Sequence, residues 1–221
     1  MRVFGIDACR SGWVAVELAD GAYAGARFAA TLAQLTGGGH AVIGVDMPLG
    51  LLAADWRDAD RMAAEHVGPR RSSVFRVPPR PVWDIEGYAE ANALCRSLTG
   101  AGLSRQAFGL RSKLREANAL WDADDRLYEV HPEVSFREMA GAPVAYPKTT
   151  WNGVAIRRTL LARGGVGLPD DLAAAGRVAP DDVLDAAAVA WSAHRIATGV
   201  ARSLPDPPQR DDKSRAVAIW R

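Results

Sequence analysis

The sequence predicts an α/β fold, in which buried strands form a sheet that is flanked by helices. Val3 to Asp7 is a short apolar run of strand-forming residues that ends on a carboxylate. Ala41 to Asp46 repeats this pattern further along the chain. A third stretch begins with Pro180-Asp181-Asp182 and continues in alanines, as expected of a helix with proline in its first turn and acids at its positive end. Because open sheets place their chemistry at the carboxyl ends of strands, both strand aspartates are functional candidates.

The amino-terminal part of the chain predicts three strands, a short helix and a fourth strand. Residues 2–28 form the three strands, and Asp20-Gly21 between two apolar runs is typical of a two-residue hairpin turn. Residues 31–35 suggest a short helix, which a run of three glycines ends. The fourth strand covers residues 41–46, and Pro48 prevents its continuation because proline cannot donate a ladder hydrogen bond.

The later elements follow from similar patterns, with a helical, arginine-rich insertion expected at residues 51–120 of a single domain that spans residues 1–221. Within the insertion, residues 70–81 are rich in proline and arginine and are expected to form an ordered loop. The remaining predicted elements are helices at 58–66, 85–98 and 106–121, a strand at 127–130, helices at 134–139, 154–162 and 180–198, and an edge strand at 216–220.

Length, composition and charge exclude several classes of protein. The chain has 221 residues, of which 48% are apolar, so it can bury a sizeable core. It has no apolar run of membrane-spanning length and no signal-peptide pattern at its start, so we expect a cytoplasmic protein without a membrane partner. The net charge of +1 argues against general binding of polyanions, although six arginines crowd residues 57–80. Cys9 and Cys95 lack the spacing of a zinc site, so two thiols are expected.

Five carboxylates occupy positions that set them apart from ordinary surface acids. Each lies at the end of an apolar strand or at the start of the alanine-rich helix; they are Asp7, Asp46, Glu129, Asp182 and Asp185. Carboxylates that converge in a half-buried place repel one another unless a cation neutralises them, and such oxygen ligands suit Mg²⁺ or Mn²⁺. We therefore expect Asp7, Asp46 and Asp185 to bind metal, with Glu129 and Asp182 assisting. Asp182 is equally suited to capping its helix.

Other polar side chains are candidates for contact with a substrate. Arg70-Arg71-Ser72-Ser73 follows Gly-Pro and combines guanidinium, hydroxyl and amide donors that suit a phosphate, although a solvated basic loop is the alternative. His131 is either a base near the metal or a structural hydrogen bonder. Lys148 is either an anion contact or a surface lysine.

Five motifs occur in order along nearly the whole chain. They are Gly5–Trp13, Val45–Gly50, Gly68–Phe75, Glu129–Glu133 and Asp181–Ala186. Together they resemble the domain-of-unknown-function 429 family (DUF429), whose members are predicted to be nucleases of the ribonuclease H-like superfamily. The resemblance implies a ribonuclease H-like mixed sheet flanked by helices. It also implies metal-binding acids on the first strand (Asp7), after the fourth strand (Asp46) and on a late helix (Asp182 or Asp185).

The residues and the resemblance together predict a nuclease that hydrolyses phosphodiester bonds of a nucleic acid or nucleotide through metal-bound water. The insertion, which simple ribonuclease H-like enzymes lack, would either recognise the substrate or close the site to a large duplex. One alternative is a phosphotransferase related to actin and the sugar kinases, but these need a second, duplicated domain and the sequence contains one sheet unit. The other alternative is a non-catalytic nucleic-acid- or nucleotide-binding module that keeps the acids for stability or a structural ion.

Overall fold

The computed structural model describes residues 1–221 and contains seven strands and nine α-helices. The strands are Arg2–Cys9 (β1), Gly12–Ala19 (β2), Ala22–Ala29 (β3), Val42–Val45 (β4), Leu127–Glu129 (β5), Ser203–Arg210 (β6) and Ala216–Trp220 (β7). The helices are Ala33–Thr36 (α1), Asp58–Val67 (α2), Arg80–Asp84 (α3), Tyr88–Thr99 (α4), Arg105–Gly109 (α5), Arg111–Trp121 (α6), Pro132–Ala140 (α7), Trp151–Arg163 (α8) and Pro180–Ala197 (α9). Two 3₁₀-helices cover Gly68–Ser73 and Ala173–Arg177.

The chain divides into two compact units. The first, here called the sheet unit, consists of Met1–Met47, Asp124–Arg202 and Trp220–Arg221. The second unit consists of Pro48–Ala123 and Ser203–Ile219. The segment expected as a helical insertion, residues 51–120, therefore lies within the second unit. Its description as an insertion in a single domain stays a prediction.

A five-stranded mixed sheet with the order β3-β2-β1-β4-β5 organises the sheet unit, and helices flank it. The first three strands are antiparallel neighbours, whereas β1, β4 and β5 run parallel. The predicted hairpin turn is confirmed, since Asp20 and Gly21 join β2 to β3 with φ values of 49° and 85°. Positive φ at both turn residues matches the right-handed twist of the strands that they connect. The predicted α/β class and the mixed sheet are confirmed.

Helix α9 covers β1 and β4 at very short range because glycine occupies the contact position in both strands. A Cβ atom on Gly5 would lie 1.9 Å from the Ala190 nitrogen and 2.3 Å from the Ala186 oxygen. A Cβ atom on Gly44 would lie 2.8 Å from Val189 Cγ1. The run of small, buried residues along α9 completes this close packing. The helix backbone thus rests directly on β1, and the Val189 side chain packs closely against β4.

The second unit is mainly helical and contains the two-stranded sheet of β6 and β7. The predicted edge strand at 216–220 is confirmed, whereas its partner β6 was hidden by the three prolines within Ser203–Arg210, a composition that disfavours strands. The loop expected at 70–81 begins inside the 3₁₀-helix Gly68–Ser73. The single helix expected at 106–121 is divided into α5 and α6. None of the helices combines the length and the apolar character that crossing a lipid bilayer requires.

The close packing of α9 predicts that Gly5→Ala destabilises the protein. The added methyl group would meet helix backbone, which cannot move aside as a flexible side chain can, so we expect the free energy of unfolding to fall by about 3 kcal/mol. Urea unfolding followed by circular dichroism measures this loss.

Gly25→Ala is the matched control, because Gly25 lies in β3 and an added Cβ atom meets nothing within 4 Å. This variant is expected to change the stability by less than about 0.5 kcal/mol. Equal stability of the two variants would show that the helix is not in backbone contact with β1.

Candidate functional site

Asp7 and Asp46 lie side by side at the carboxyl ends of two parallel strands. Ile6 of β1 is paired in register with Val45 of β4, and the Asp46 amide donates to the Ile6 carbonyl oxygen at 2.8 Å. The two aspartate side chains share a hydrogen bond. The Ala8 amide donates a further hydrogen bond to Asp7 Oδ1 at 2.7 Å. The parallel pairing therefore brings together two acids that are far apart in the sequence.

Helix α9 brings Asp185 to the same place because it runs across the sheet in the direction opposite to β1. Ala190 lies over Gly5, and Asp185 precedes Ala190 by five residues, about 7.5 Å along the helix axis. Asp7 follows Gly5 by two residues, about 6.6 Å along the strand. The two carboxylates are thus displaced from the contact point by similar distances toward the same edge. Asp185 is 2% exposed, so its carboxyl group faces the protein interior.

The pKa values of the three carboxyl groups record their burial and mutual repulsion. Burial raises the pKa of Asp7 well above its usual value, and the negative charges of Asp46, Asp185 and Asp182 add to the rise. Burial also raises the pKa of Asp46, although His131 and Lys148 oppose this effect. The pKa of Asp185 rises to about 7, again chiefly through burial. The shared hydrogen bond between Asp7 and Asp46 is consistent with a proton held between two acids that cannot both ionise easily.

Lys148 supplies positive charge to this cluster. Its Nζ atom lies 2.5 Å from Asp185 Oδ2 and 3.7 Å from Asp181 Oδ2. The ammonium group also lowers the pKa of Asp7 and of Asp46. From its sequence context Lys148 is either an anion contact or a surface lysine, and the structure places it among the carboxylates with its side chain 37% exposed.

A buried ion pair lies next to the acid cluster. Glu133, in the first turn of α7, accepts a hydrogen bond from Arg157 Nη2 at 2.6 Å, and both residues are buried. The charge of Glu133 raises the pKa of Asp46 and Asp185, so this glutamate belongs to the same electrostatic group. Arg157 also donates to the backbone oxygen of Tyr146 at 3.0 Å. The pair therefore joins the acids to the loop that carries Lys148.

Glu129 and His131, two further candidate site residues, lie on different sides of the sheet edge. Glu129 is buried and is paired in register with Val45, so the alternation of side chains along a strand directs it to the face opposite Asp7 and Asp46. Glu129 is the glutamate that the sequence predicts to assist the metal-binding acids, whereas Glu133 is the one that influences Asp46 and Asp185 in the structure. His131, directly before α7, is half-buried and close enough to Asp46 to influence its pKa.

The basic segment Arg70-Arg71-Ser72-Ser73 belongs to the second unit. It forms the end of the 3₁₀-helix Gly68–Ser73, and Arg71, Ser72 and Ser73 are exposed. Arg71 lines a surface cavity of about 770 Å³ together with Arg61 and Arg76. Arg61 is already paired with Asp58 and Glu65. This cavity presents accessible guanidinium groups to an anion.

The donor chemistry of the acid cluster fits a hard divalent cation. All donors are carboxylate oxygens, the ligands that hard cations prefer. Burial and mutual repulsion raise the pKa values of these carboxyl groups, and a bound cation would lower those pKa values again. Asp185 Oδ1 is buried and accepts no hydrogen bond, so it is an acceptor with unused capacity. The side chains are not gathered into a complete ligand set, since no three histidine, cysteine, aspartate or glutamate side chains form a group that could hold a metal ion.

The fold and the site define a mixed α/β protein whose acids meet at the carboxyl edge of parallel strands beneath a late helix. The profile of the family described as protein of unknown function (DUF429) matches residues 5–210. The chain therefore belongs to this family, as its five motifs predict. No curated protein and no solved structure matches the chain. The family description assigns no activity, so a functional proposal must rest on the geometry of the site.

The raised pKa of Asp185 predicts a stability change with pH in the metal-free protein. Below about pH 3 the carboxyl group is largely protonated in both the folded and the unfolded state. As pH rises toward 7, the unfolded chain loses this proton while the folded state retains it, so stability falls by up to about 1 kcal/mol per pH unit. Asp185→Asn removes this dependence, and we expect the variant to gain stability relative to the wild type between pH 4.5 and 8. Urea unfolding in chelator across this range measures the difference.

Asp124→Asn provides a control of opposite sign. The hydrogen bond and charge of Arg126 lower the pKa of Asp124, so its ionised form stabilises the folded state once pH exceeds the unfolded value. This variant is expected to lose stability relative to the wild type as pH rises through about 4. If both variants showed the same pH profile, Asp185 would not be the group responsible for the predicted change.

Proposed function

We propose that this protein is a ribonuclease H-like nuclease that hydrolyses phosphodiester bonds of a nucleic acid or nucleotide with Mg²⁺ or Mn²⁺. The observation that carries the proposal is the convergence of Asp7, Asp46 and Asp185 from two parallel strands and a late helix, with an unused buried oxygen on Asp185. Acids on the first strand, after the fourth strand and on a late helix are also the pattern that the ribonuclease H-like superfamily implies.

Each side chain has a separate role in this proposal. Asp7, Asp46 and Asp185 would hold the cation, which when bound would activate water and stabilise the leaving oxygen. Asp182 adds negative charge beside Asp7. His131 lies beside Asp46 and is the group placed to accept or release a proton.

Contact with the substrate is proposed for two sets of basic groups. The half-buried Lys148 ammonium would face a phosphate at the open side of the acid cluster. In the second unit, the exposed donors of Arg71, Ser72 and Ser73, together with Arg70, are suited by themselves to binding phosphate.

A phosphotransferase is less well supported than a nuclease. Actin-like proteins and sugar kinases need the sheet domain twice, and the chain contains one five-stranded sheet besides the small sheet of β6 and β7. A non-catalytic binding module keeps the same charges but needs no reactive cation. These two functions differ from a nuclease in simple assays.

The nuclease proposal predicts chelator-sensitive cleavage that depends on Asp7. The full chain would be incubated with labelled single- and double-stranded DNA and RNA, and with short oligonucleotides, in Mn²⁺, Mg²⁺ or chelator. We expect products with metal, none with chelator, and a rate reduced by about 100-fold or more in Asp7→Asn, because a group that stabilises charge in the transition state is lost.

Asp170→Asn is the matched control, because Asp170 is an exposed aspartate that pairs with Arg158 at 3.0 Å. It should cleave at the wild-type rate. Asp7→Asn should remain folded, since it removes a buried charge that its neighbours repel. Cleavage that survives in Asp7→Asn, or no cleavage of any substrate, would contradict the proposal. Binding without cleavage would favour the module, and ATP turnover the phosphotransferase.

A further inference from the structure

A cavity of about 290 Å³ lies in the sheet unit, between residues of α7, of α9 and of the carboxyl end of α8. Ten residues, about 15 Å along the axis of α9, separate Arg195 in the cavity lining from Asp185 in the acid cluster. The cavity is therefore a separate feature of the same unit. Its volume is at the lower end of the range for ligand pockets, about 300–1,000 Å³, so a ligand that fills it must be small.

Trp191 forms the apolar surface of this cavity, and Gly164 leaves its indole N–H group accessible. Gly164 has φ −79° and ψ 6°, a conformation open to residues with side chains, so the backbone does not require glycine here. A Cβ atom at this position would, however, lie 3.0 Å from Trp191 Nε1. The indole nitrogen donates no hydrogen bond within the protein and is a donor available to a ligand. Leu160 and Met139 complete the apolar lining.

Positive charge exceeds negative charge around the cavity. Glu138 is the one acid in the lining, and Arg221 Nη1 donates a hydrogen bond to it at 2.6 Å. Arg163 and Arg195 are the two basic side chains in the lining. Arg163 is exposed and pairs with no acid. Three guanidinium groups thus accompany one carboxylate, so a bound anion would reduce the repulsion among them.

Arg195 is held in place beside the indole ring. It follows Trp191 by four residues on α9, and its Cζ atom lies 4.8 Å from the centroid of the ring. Nη2 donates to the Val200 oxygen at 3.3 Å, whereas Nε is buried and has no acceptor. The guanidinium group therefore has a defined position and an incompletely compensated charge, which is suited to an anion next to an aromatic ring.

We propose that this cavity binds a small anion that carries an aromatic ring, such as an aryl phosphate or an aryl carboxylate. The ring would pack against Trp191 and Leu160, and the anionic group would accept hydrogen bonds from Arg163 and from the Trp191 indole. The ring accounts for the apolar lining and the anion for the excess of guanidinium groups. This second ligand site is independent of the proposed nuclease activity and of any metal ion.

Phenyl phosphate tests the proposal because it combines the two halves of the ligand. The full chain, labelled with ¹⁵N and kept in chelator, would be titrated while the indole N–H signal of Trp191, assigned with Trp191→Phe, is followed by nuclear magnetic resonance. We expect a saturable shift of this signal with a Kd of about 1 mM or tighter. Inorganic phosphate and benzyl alcohol each lack one half and should bind about tenfold or more weakly. Benzoate shows whether a carboxylate replaces the phosphate.

Two variants remove different parts of the site. Arg163→Met removes an exposed guanidinium group, and Gly164→Ala covers the indole N–H group, so each should weaken phenyl phosphate binding by about fivefold or more. Arg177→Met is the matched control, because Arg177 is also exposed and ends a 3₁₀-helix of the same unit without pairing with an acid. It should bind as the wild type does, and circular dichroism would verify that each variant is folded.

Three results would overturn the proposal. The first is a Trp191 signal that does not move at phenyl phosphate concentrations up to about 10 mM. The second is unchanged affinity in Arg163→Met. The third is inorganic phosphate that binds as tightly as phenyl phosphate, since the apolar lining would then contribute nothing. None of these results would bear on cleavage of nucleic acid, which depends on the acid cluster.

Discussion

The contact of α9 with the glycine positions of β1 and β4 determines where the acids of this protein lie. Gly5 lets the helix backbone approach β1 to a distance that no side chain would allow, and Gly44 makes room for Val189 of the helix on β4. Since Asp7 and Asp46 follow those glycines by two residues each, and Asp185 precedes the contact on the helix, the approach that packs the core also assembles the cluster. Repulsion among buried carboxylates would separate elements that were held only by flexible side chains. Backbone packing against a sheet resists such separation, because interiors are dense and deform little.

The charged groups around the cluster differ in how completely they are neutralised. Glu133 and Arg157 are both buried and form a close pair, so their charges largely cancel and their removal would expose an uncompensated partner. Lys148 pairs closely with Asp185, yet the pKa values of all three aspartates stay raised. Acids that only stabilise the fold would be expected to have their charges paired, as Glu133 and Arg157 have. The unbalanced charge of the aspartates is instead typical of a site that gains its partner on binding.

Local elements and the meeting of the strand-end acids could be predicted from the sequence, whereas the place of Lys148 and the face of Glu129 could not. The Asp20-Gly21 turn and the start of α9 at Pro180 follow from local backbone preferences, and the convergence of strand-end acids follows from parallel pairing. Strand β6 escaped prediction because its prolines oppose the pattern of a strand. The place of Lys148 depends on hydrogen bonds from Arg157 and Thr150, and 37 residues separate it from Asp185. The expectation that Glu129 assists the other acids did not include the register of β5, which decides the face of the sheet on which a strand residue lies.

Lysine at position 148 is an uncommon residue type in this chain. Only three of the 27 basic residues are lysines, so arginine is the usual cation of this chain. A guanidinium group is planar and binds a carboxylate through two parallel hydrogen bonds, as Arg80 does with both oxygens of Asp212 at 3.0 Å. An ammonium group is a compact point charge that engages one oxygen of Asp185 and leaves the other available. An arginine at this position would be suited to taking both oxygens of Asp185, and the small ammonium therefore neutralises the acid without removing it from further coordination.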